Sequence, residues 1–357
     1  MKKNTIAKLL TAALCTGLIA GMTTGCGSAS SASGENGQVI VYNWGEYIDP
    51  DTITMFEEET GIKVVYDEFE TNEIMYPKVE TGASEYDVIC PSDYMISKMI
   101  ESDLLSELNF DNMPNAKANI GEQYWEQSKG FDPENKYSVP YCWGTVGILY
   151  NKTMVEEPVD SWSILWNPKY KDNILMQDSV RDAFMISLKR LGYSCNTTDE
   201  DELNEAMEEL KIQSKLNKAY TIDEVRDKMI NGAAAIGVIY SGEYLYCQEE
   251  NEDLEYVIPK EGTNIWYDGW VITKGSENVE NAHKWIDFLC SQEAAYDNFE
   301  YIYYGTPNIA AQELIDEDII NNPGVFPDEE TIEKCEVYNY LGEEAEDMYY
   351  ELWKKVK

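Results

Sequence analysis

The chain has 357 residues, with 67 acidic and 27 basic side chains, a formal charge of −40 and one histidine. That balance excludes nucleic acid as a partner, because phosphate contacts are made by Lys and Arg. The single histidine removes Ser-His-Asp and Cys-His devices and most zinc sites.

The N-terminus reads as a cleaved secretory signal over 1–25. Lys2, Lys3 and Lys8 precede an apolar run from Leu9 to Met22 that closes on Thr23, Thr24 and Gly25. Cys26 after a small residue resembles a bacterial lipobox, although Thr23 stands where Leu is usual, and it is the expected lipid attachment. The alternative is a signal peptide with an incidental cysteine. Residues 26–38 (CGSASSASGENGQ) have the composition of a flexible tether that cannot bury a core. The mature chain, tether included, has roughly 330 residues, too many for one small core, so two lobes are expected. No second apolar stretch approaches the roughly 20 residues of a spanning helix. The expected location is therefore the outer face of the cytoplasmic membrane, on the periplasmic side where an outer membrane exists. The acidic field reads first as a solvated surface that keeps the domain soluble; the alternative is that it helps draw in cationic ligands. Cys90, Cys142, Cys195, Cys247, Cys290 and Cys335 are scattered without a CxxC pair, so no metal site is expected and any pairing stays open.

From Gln38 strands and helices alternate. QVIVYNW is an apolar strand, and Asp49–Pro50–Asp51 opens a helix that Gly61 closes. IKVVYDEF is the next strand, and NEIMYPKVETG is a weaker helix that Pro77 should shorten. YDVICPS is a short buried strand before a helix bearing Met95, Ile96, Met99 and Ile100. This βαβα order predicts an open, largely parallel sheet. YCWGTVGILYN is a long extended crossover between lobes. SWSILWNPKYKDN is a loop with a short helix. ILMQ is a strand before an amphipathic helix (Val180, Phe184, Leu188, Leu191) stopped by Gly192. Two more helices precede the buried strand AAIGVIYSG, and YVIPKEGTNIWYDGWVIT holds two strands around a turn. ENAHKWIDFLCSQEAAYDNF reads as one helix, with His283 as a surface or packing residue, and the acidic tail from Thr331 reads as helical.

In open α/β sheets ligands sit beyond the carboxyl ends of strands. The residues there are Trp44–Gly45–Glu46–Tyr47, Ser92–Asp93–Tyr94, Asp178–Ser179 with Asp182, Tyr240–Ser241, and Trp266–Tyr267–Asp268. Each end offers an aromatic, an acid or both, and none offers a Gly-rich phosphate loop. Aromatic faces attract cations by about 0.5–2 kcal/mol each, and carboxylates bonded to an ammonium add roughly 1.5–3 kcal/mol each. The set suits a small organic cation. A paired-carboxylate glycosidase stays conceivable, but no acid pair is marked by spacing. No P-loop or dinucleotide fingerprint occurs, so no cofactor is expected.

Long segments then resemble the spermidine/putrescine-binding proteins, receptor subunits of polyamine ABC importers. They are YNWGEYIDP, FEEETGIKVVYDEFETNEIMYPKV, YDVICPSDYM, YSVPYCWGTVGILYN, SWSILWNPKYK, DSVRDAFMISLKRLGYSCNTTD, IPKEGTNIWYDGWVI and YGTPN. The resemblance implies the type II periplasmic-binding fold: two α/β lobes joined by a hinge, with the ligand cleft between them. The lobes expected are 39–143 plus 268–312 and 144–267 plus 313–357. It further implies a non-catalytic monomer that passes its ligand to membrane permease subunits. The contacts carried over are Trp44, Glu46, Tyr47, Ser92, Tyr94, Asp182 (Glu in the familiar member), Trp266, Asp268 and Tyr304. The chain departs from the pattern at Gly45 for Thr, Ser179 for an acid, Tyr240 for Trp and Tyr338 for Gln. These departures leave the choice between spermidine and putrescine open. A sugar or cationic amino acid remains an alternative ligand, with Arg181 the one nearby candidate to clamp a carboxylate.

Overall fold

The computed structural model describes residues 34–82, 85–222 and 224–357. The signal segment, Cys26 and the tether up to Ser33 lie outside the described residues. Residues 34–37 are held against the domain: the Asn36 backbone N–H donates to Gly61 O at 3.1 Å, and Gln38 already opens the first strand.

Among the described residues nine strands form one curled sheet. They are β1 (Gln38–Trp44), β2 (Lys63–Phe69), β3 (Val88–Ile89), β4 (Ser138–Asn151), β5 (Ile174–Gln177), β6 (Asn217–Thr221), β7 (Ile236–Tyr240), β8 (Leu254–Val257) and β9 (Ile265–Ile272). The order is β2-β1-β3-β9-β4-β7-β5-β6, with β8 paired to β4. The sheet is mixed rather than largely parallel. β1, β2 and β3 run parallel, as do β5, β6 and β7, but β9 and β4 are antiparallel to their neighbours. The reason is the long crossover. Ser138–Thr145 of β4 pairs with β9, and its second half, Val146–Asn151, pairs with β7 and β8. One continuous strand thus serves both halves of the molecule, which is the layout of two lobes on a hinge.

Each half has its own core. The first gathers Val39, Phe56, Ile96, Trp270 and Trp285. The second half packs both faces of its strands. Ile236 and Val238 face Trp162, Phe184 and Leu188, whereas Ile239 faces Leu149, Val225 and Met229. This is the strand alternation of period two.

Helix signals read from sequence hold where the caps are strong. Helix Pro50–Thr60 starts from Asp49 and ends on Gly61 at φ 68°, and helix Val180–Leu191 ends on Gly192 at φ 87°. Three expectations need correction. Helix Asn72–Glu80 runs through Pro77, because a proline removes one ladder bond while Thr71 caps the start and Met75 is fully buried. The expected helix from Glu280 is two, Val279–Leu289 and Gln292–Ile302, broken where Ser291 caps the second by accepting from the Ala294 N–H. The tail is not continuously helical. A short helix at Glu329–Ile332 gives way to an irregular stretch, with a single bridge from Glu336 to Asn264, before helix Glu343–Val356. His283 is a packing residue: Nε2 accepts from the Asn109 N–H at 2.8 Å and Nδ1 lies 2.7 Å from Val279 O. All six described cysteines are unpaired.

Candidate functional site

The first wall is built at the end of β1. Glu46 takes the left-handed conformation, φ 52°, and turns the chain so that Tyr47 faces back across the sheet. The Trp44 indole N–H donates to Cys90 O at 2.8 Å, and its ring packs on Phe69 at 4.6 Å. The Tyr47 hydroxyl donates to Asp268 Oδ2 at 2.6 Å and accepts from the Cys142 thiol at 2.9 Å. Cys142 reaches it because β4 bulges between Pro140 and Cys142, which sets Cys142 opposite Asp268. Proline has no N–H to continue the ladder there.

Asp268 is the acidic centre of this wall. It is 4 % exposed, and its Oδ1 is buried without a hydrogen bond. Burial lifts its pKa to about 6, while the Tyr47 and Ser92 hydroxyls pull the other way. Ser92 ends the strand region of β3 and bridges Asp268 through the backbone. Tyr94, in the first turn of helix Asp93–Glu101, donates to Glu73 Oε1 at 2.9 Å and accepts from Asn72 Nδ2 at 3.0 Å.

The opposite wall centres on Asp182. Ser179 caps helix Val180–Leu191 by accepting from the Asp182 N–H at 3.3 Å. That turn aims the Asp182 carboxylate at two phenols. Tyr240 donates to Oδ2 and Tyr338 to Oδ1, both at 2.8 Å. Burial and the Asp182 charge push both phenols well above their usual pKa, so they stay neutral donors.

A chain of rings joins the walls. Tyr304 lies 5.8 Å from Tyr47 and 5.0 Å from Trp266, and Trp266 stands edge-on to Tyr240 at 6.4 Å. Two glycines make room for it. A Cβ on Gly242 would lie 2.2 Å from the Tyr304 ring, and one on Gly144 would lie 2.6 Å from the Trp266 ring. The Trp266 indole N–H is also buried without an acceptor. The result is a row of ring contacts with a buried carboxylate at each end, in which the Asp268 Oδ1 and the Trp266 indole N–H make no hydrogen bond. Aromatic faces and carboxylates of this kind suit a cation, by π contact and charge-assisted hydrogen bonds.

Of the residues expected from sequence, Trp44, Tyr47, Ser92, Tyr94, Asp182, Tyr240, Trp266, Asp268, Tyr304 and Tyr338 are thus brought into connected contacts. Glu46 is not among them: it is exposed on its turn and shapes the backbone instead. Ser179 acts as a helix cap. Arg181 lies 4.4 Å over the Tyr338 ring and donates to Cys195 O, Asn196 Oδ1 and Asn339 O. Sequence reading placed Asp93 at its strand end without carrying it into the set of contacts, and it passed over Cys142. The signal for Asp93 was its place between two chosen residues, whereas Cys142 became visible only through the bulge. Among the described residues no group of His, Cys, Asp or Glu could hold a metal ion.

The arrangement is that of a two-lobed binding protein, and the comparisons agree. Residues 51–327 match the model of the bacterial extracellular solute-binding protein family. The spermidine/putrescine-binding periplasmic protein of Salmonella typhimurium is 36% identical over 344 residues, covering 95% of this chain and 97% of that protein. Its Escherichia coli counterpart is 35% identical over the same shares. The solved spermidine/putrescine ABC transporter substrate-binding protein of Streptococcus pneumoniae is 41% identical, with a TM-score of 0.83, covering 89% of this chain and 98% of that one. The chain belongs to the bacterial extracellular solute-binding protein family.

Proposed function

We propose that this chain captures a polyamine, spermidine or putrescine, in the cleft between its lobes and delivers it to the permease of an ABC importer. The observation that carries this reading is the buried Asp268 Oδ1, left without a hydrogen bond beside Tyr47, Tyr304 and Trp266. A buried charged oxygen with no donor is costly, and an ammonium group is the donor that would both bond and neutralise it. Asp182 at the other end would take a second ammonium, with Trp44, Tyr94, Tyr240 and Tyr338 completing the walls. The names of the polyamine-binding relatives support the same ligand class. Arg181 is committed to carbonyls and to the Tyr338 ring, which disfavours an amino-acid carboxylate as the recognised group.

The lobes are taken as 39–143 plus 268–312 and 144–267 plus 313–357, closing about β4 and β9. The chain acts as a monomer without chemistry of its own, and Cys26 carries the lipid that keeps it near its permease. Titration calorimetry against spermidine, putrescine, a neutral sugar and lysine tests the ligand class. Saturable heat with the two polyamines alone is expected; heat with the sugar or lysine but not the polyamines would reject it. Intact mass of the membrane-extracted protein tests the anchor, with a diacylglyceryl adduct on Cys26 expected and an unmodified thiol contradicting it.

A further inference from the structure

Two consecutive residues of β4 hold Tyr47. Tyr141 Oη donates to the Tyr47 backbone carbonyl at 2.8 Å, and the Cys142 thiol donates to the Tyr47 hydroxyl at 2.9 Å. Neighbours along a regular strand point to opposite faces. Here the bulge intervenes: Pro140 pairs with Gly269 and Cys142 with Asp268, so Tyr141 is an extra residue without a partner in β9. A bulge re-aims side chains in this way. Tyr47 itself belongs to no strand or helix and follows the Glu46 turn, so these contacts fix both its backbone and its hydroxyl.

A phenol has one hydrogen to give and lone pairs with which to accept. The Cys142 thiol occupies one lone pair, and the hydrogen goes to Asp268 Oδ2 at 2.6 Å. Burial raises the Tyr47 phenol and the Cys142 thiol well above their usual pKa values, so both keep their protons. Asp268 therefore presents two unequal oxygens. Oδ2 carries a short bond from a fixed donor, and the buried Oδ1 carries none. At the other end each Asp182 oxygen carries a phenol, from Tyr240 and Tyr338.

An ammonium and a guanidinium ask different things of a carboxylate. An ammonium is a compact charge with three donors, and one open oxygen suffices for it. A guanidinium is a planar fork, and its strong mode sets two parallel N–H groups on the two oxygens of one carboxylate. Neither acid of the cleft offers both oxygens open. We propose that Tyr47 and Cys142 are specificity-determining residues: by committing Asp268 Oδ2 they admit an amine end of a ligand and disfavour a guanidino end. This rests on the polyamine reading above and narrows it to ligands that end in amines. Cys142 serves as a positioning residue, acting through the Tyr47 hydroxyl.

The test compares putrescine with agmatine, the same four-carbon chain with one amine replaced by a guanidino group. Calorimetric titrations are run at pH 8, where Asp268 is ionised, on the mature wild type, Tyr47→Phe, Cys142→Val and Cys142→Ser. The wild type should bind putrescine about tenfold or more tightly than agmatine. Tyr47→Phe opens Oδ2, so it should weaken putrescine yet bring the ratio within about threefold. Cys142→Val removes the donor at similar size and should narrow the ratio in part. Cys142→Ser keeps a donor and should hold the ratio near wild type. Melting temperatures should order the other way, because a buried hydroxyl costs more than a buried methyl. Ratios that instead follow the melting temperatures would overturn the role of Cys142. Agmatine binding to the wild type as tightly as putrescine would overturn the proposal and leave the polyamine reading standing. So would a ratio unchanged in Tyr47→Phe, the result that ligand length alone would give. Absence of binding by the wild type to putrescine and spermidine would overturn the polyamine reading instead.

Discussion

Replacing Asp268 with asparagine isolates the charge on which the site is built. The variant keeps the shape and an acceptor for the Tyr47 hydroxyl, which lies 2.6 Å from Oδ2. What it loses is a buried anion whose Oδ1 has no donor. A hydrogen bond to a charged group contributes about 1.5–3 kcal/mol, so polyamine affinity should fall roughly ten- to hundredfold. Stability should move the other way. Burial raises the Asp268 pKa from 3.8 to about 6. Because the folded-state value is raised, the native state holds its proton more tightly than the unfolded chain. Stability is full below about pH 4 and is lost as pH climbs through 6, a penalty of about 3 kcal/mol when complete. Asp268→Asn escapes it. The ligand-free variant should melt above the wild type at pH 7, and the gap should close by pH 4. Calorimetric titration and thermal melts across pH 4–8 measure both arms. Affinity within threefold of wild type, or a melting gap independent of pH, would refute the reasoning.

Asp182→Ala leaves the half-buried phenol of Tyr240 and the buried phenol of Tyr338 without their acceptor. Each should cost about 1–3 kcal/mol, read as a lower urea midpoint. Adding Tyr240→Phe and Tyr338→Phe to that background should recover part of the loss, and no recovery would show that the cost arises elsewhere. Gly242→Ala places a methyl 2.2 Å from the Tyr304 ring. Overpacking of this kind costs about 1–3 kcal/mol and should weaken polyamine binding about tenfold by moving the ring; unchanged binding would show that Tyr304 is not needed in place. Lys98 lies 4.8 Å from the ring of Tyr76, in the first lobe, and 5.2 Å from that of Tyr340, beside Tyr338. Lys98→Ala should lose about 0.5–1 kcal/mol of inter-lobe attraction, weakening affinity a few-fold and enlarging the radius of gyration of the liganded protein in solution scattering. An unaltered radius and affinity would remove Lys98 from closure.

Much of this architecture can be read from local signals. The helix over Val180–Leu191 shows both its apolar face and its terminal glycine, and the strand ends announce their aromatics and acids. The readings that fail do so where tertiary context overrides local propensity. Pro77 sits inside a helix because burial of Met75 and the Thr71 cap outweigh one lost hydrogen bond. Ser291 splits an otherwise continuous helical pattern because its hydroxyl competes for the backbone as a cap. The stretch around Tyr338 is not helical; side chains from another element hold it, with Asn196 Nδ2 donating to Val337 O at 2.8 Å. The antiparallel course of β9 follows from the β4 crossover and leaves no trace in residue periodicity. In the site, residue types at strand ends identify the chemistry. They do not reveal that Glu46 faces solvent, that Ser179 is spent on a cap, or that Asp93 spans two strand ends by accepting from the Tyr94 and Tyr267 N–H groups.

On the polyamine reading, an ammonium ligand completes Asp268 and Asp182 across the cleft. Refolded, ligand-free mature protein titrated with spermidine and with putrescine tests it most directly. Saturable one-to-one heat with micromolar or tighter affinity, on the order of −8 kcal/mol or better, and a raised melting temperature are predicted. No heat and no melting shift at millimolar polyamine would contradict it.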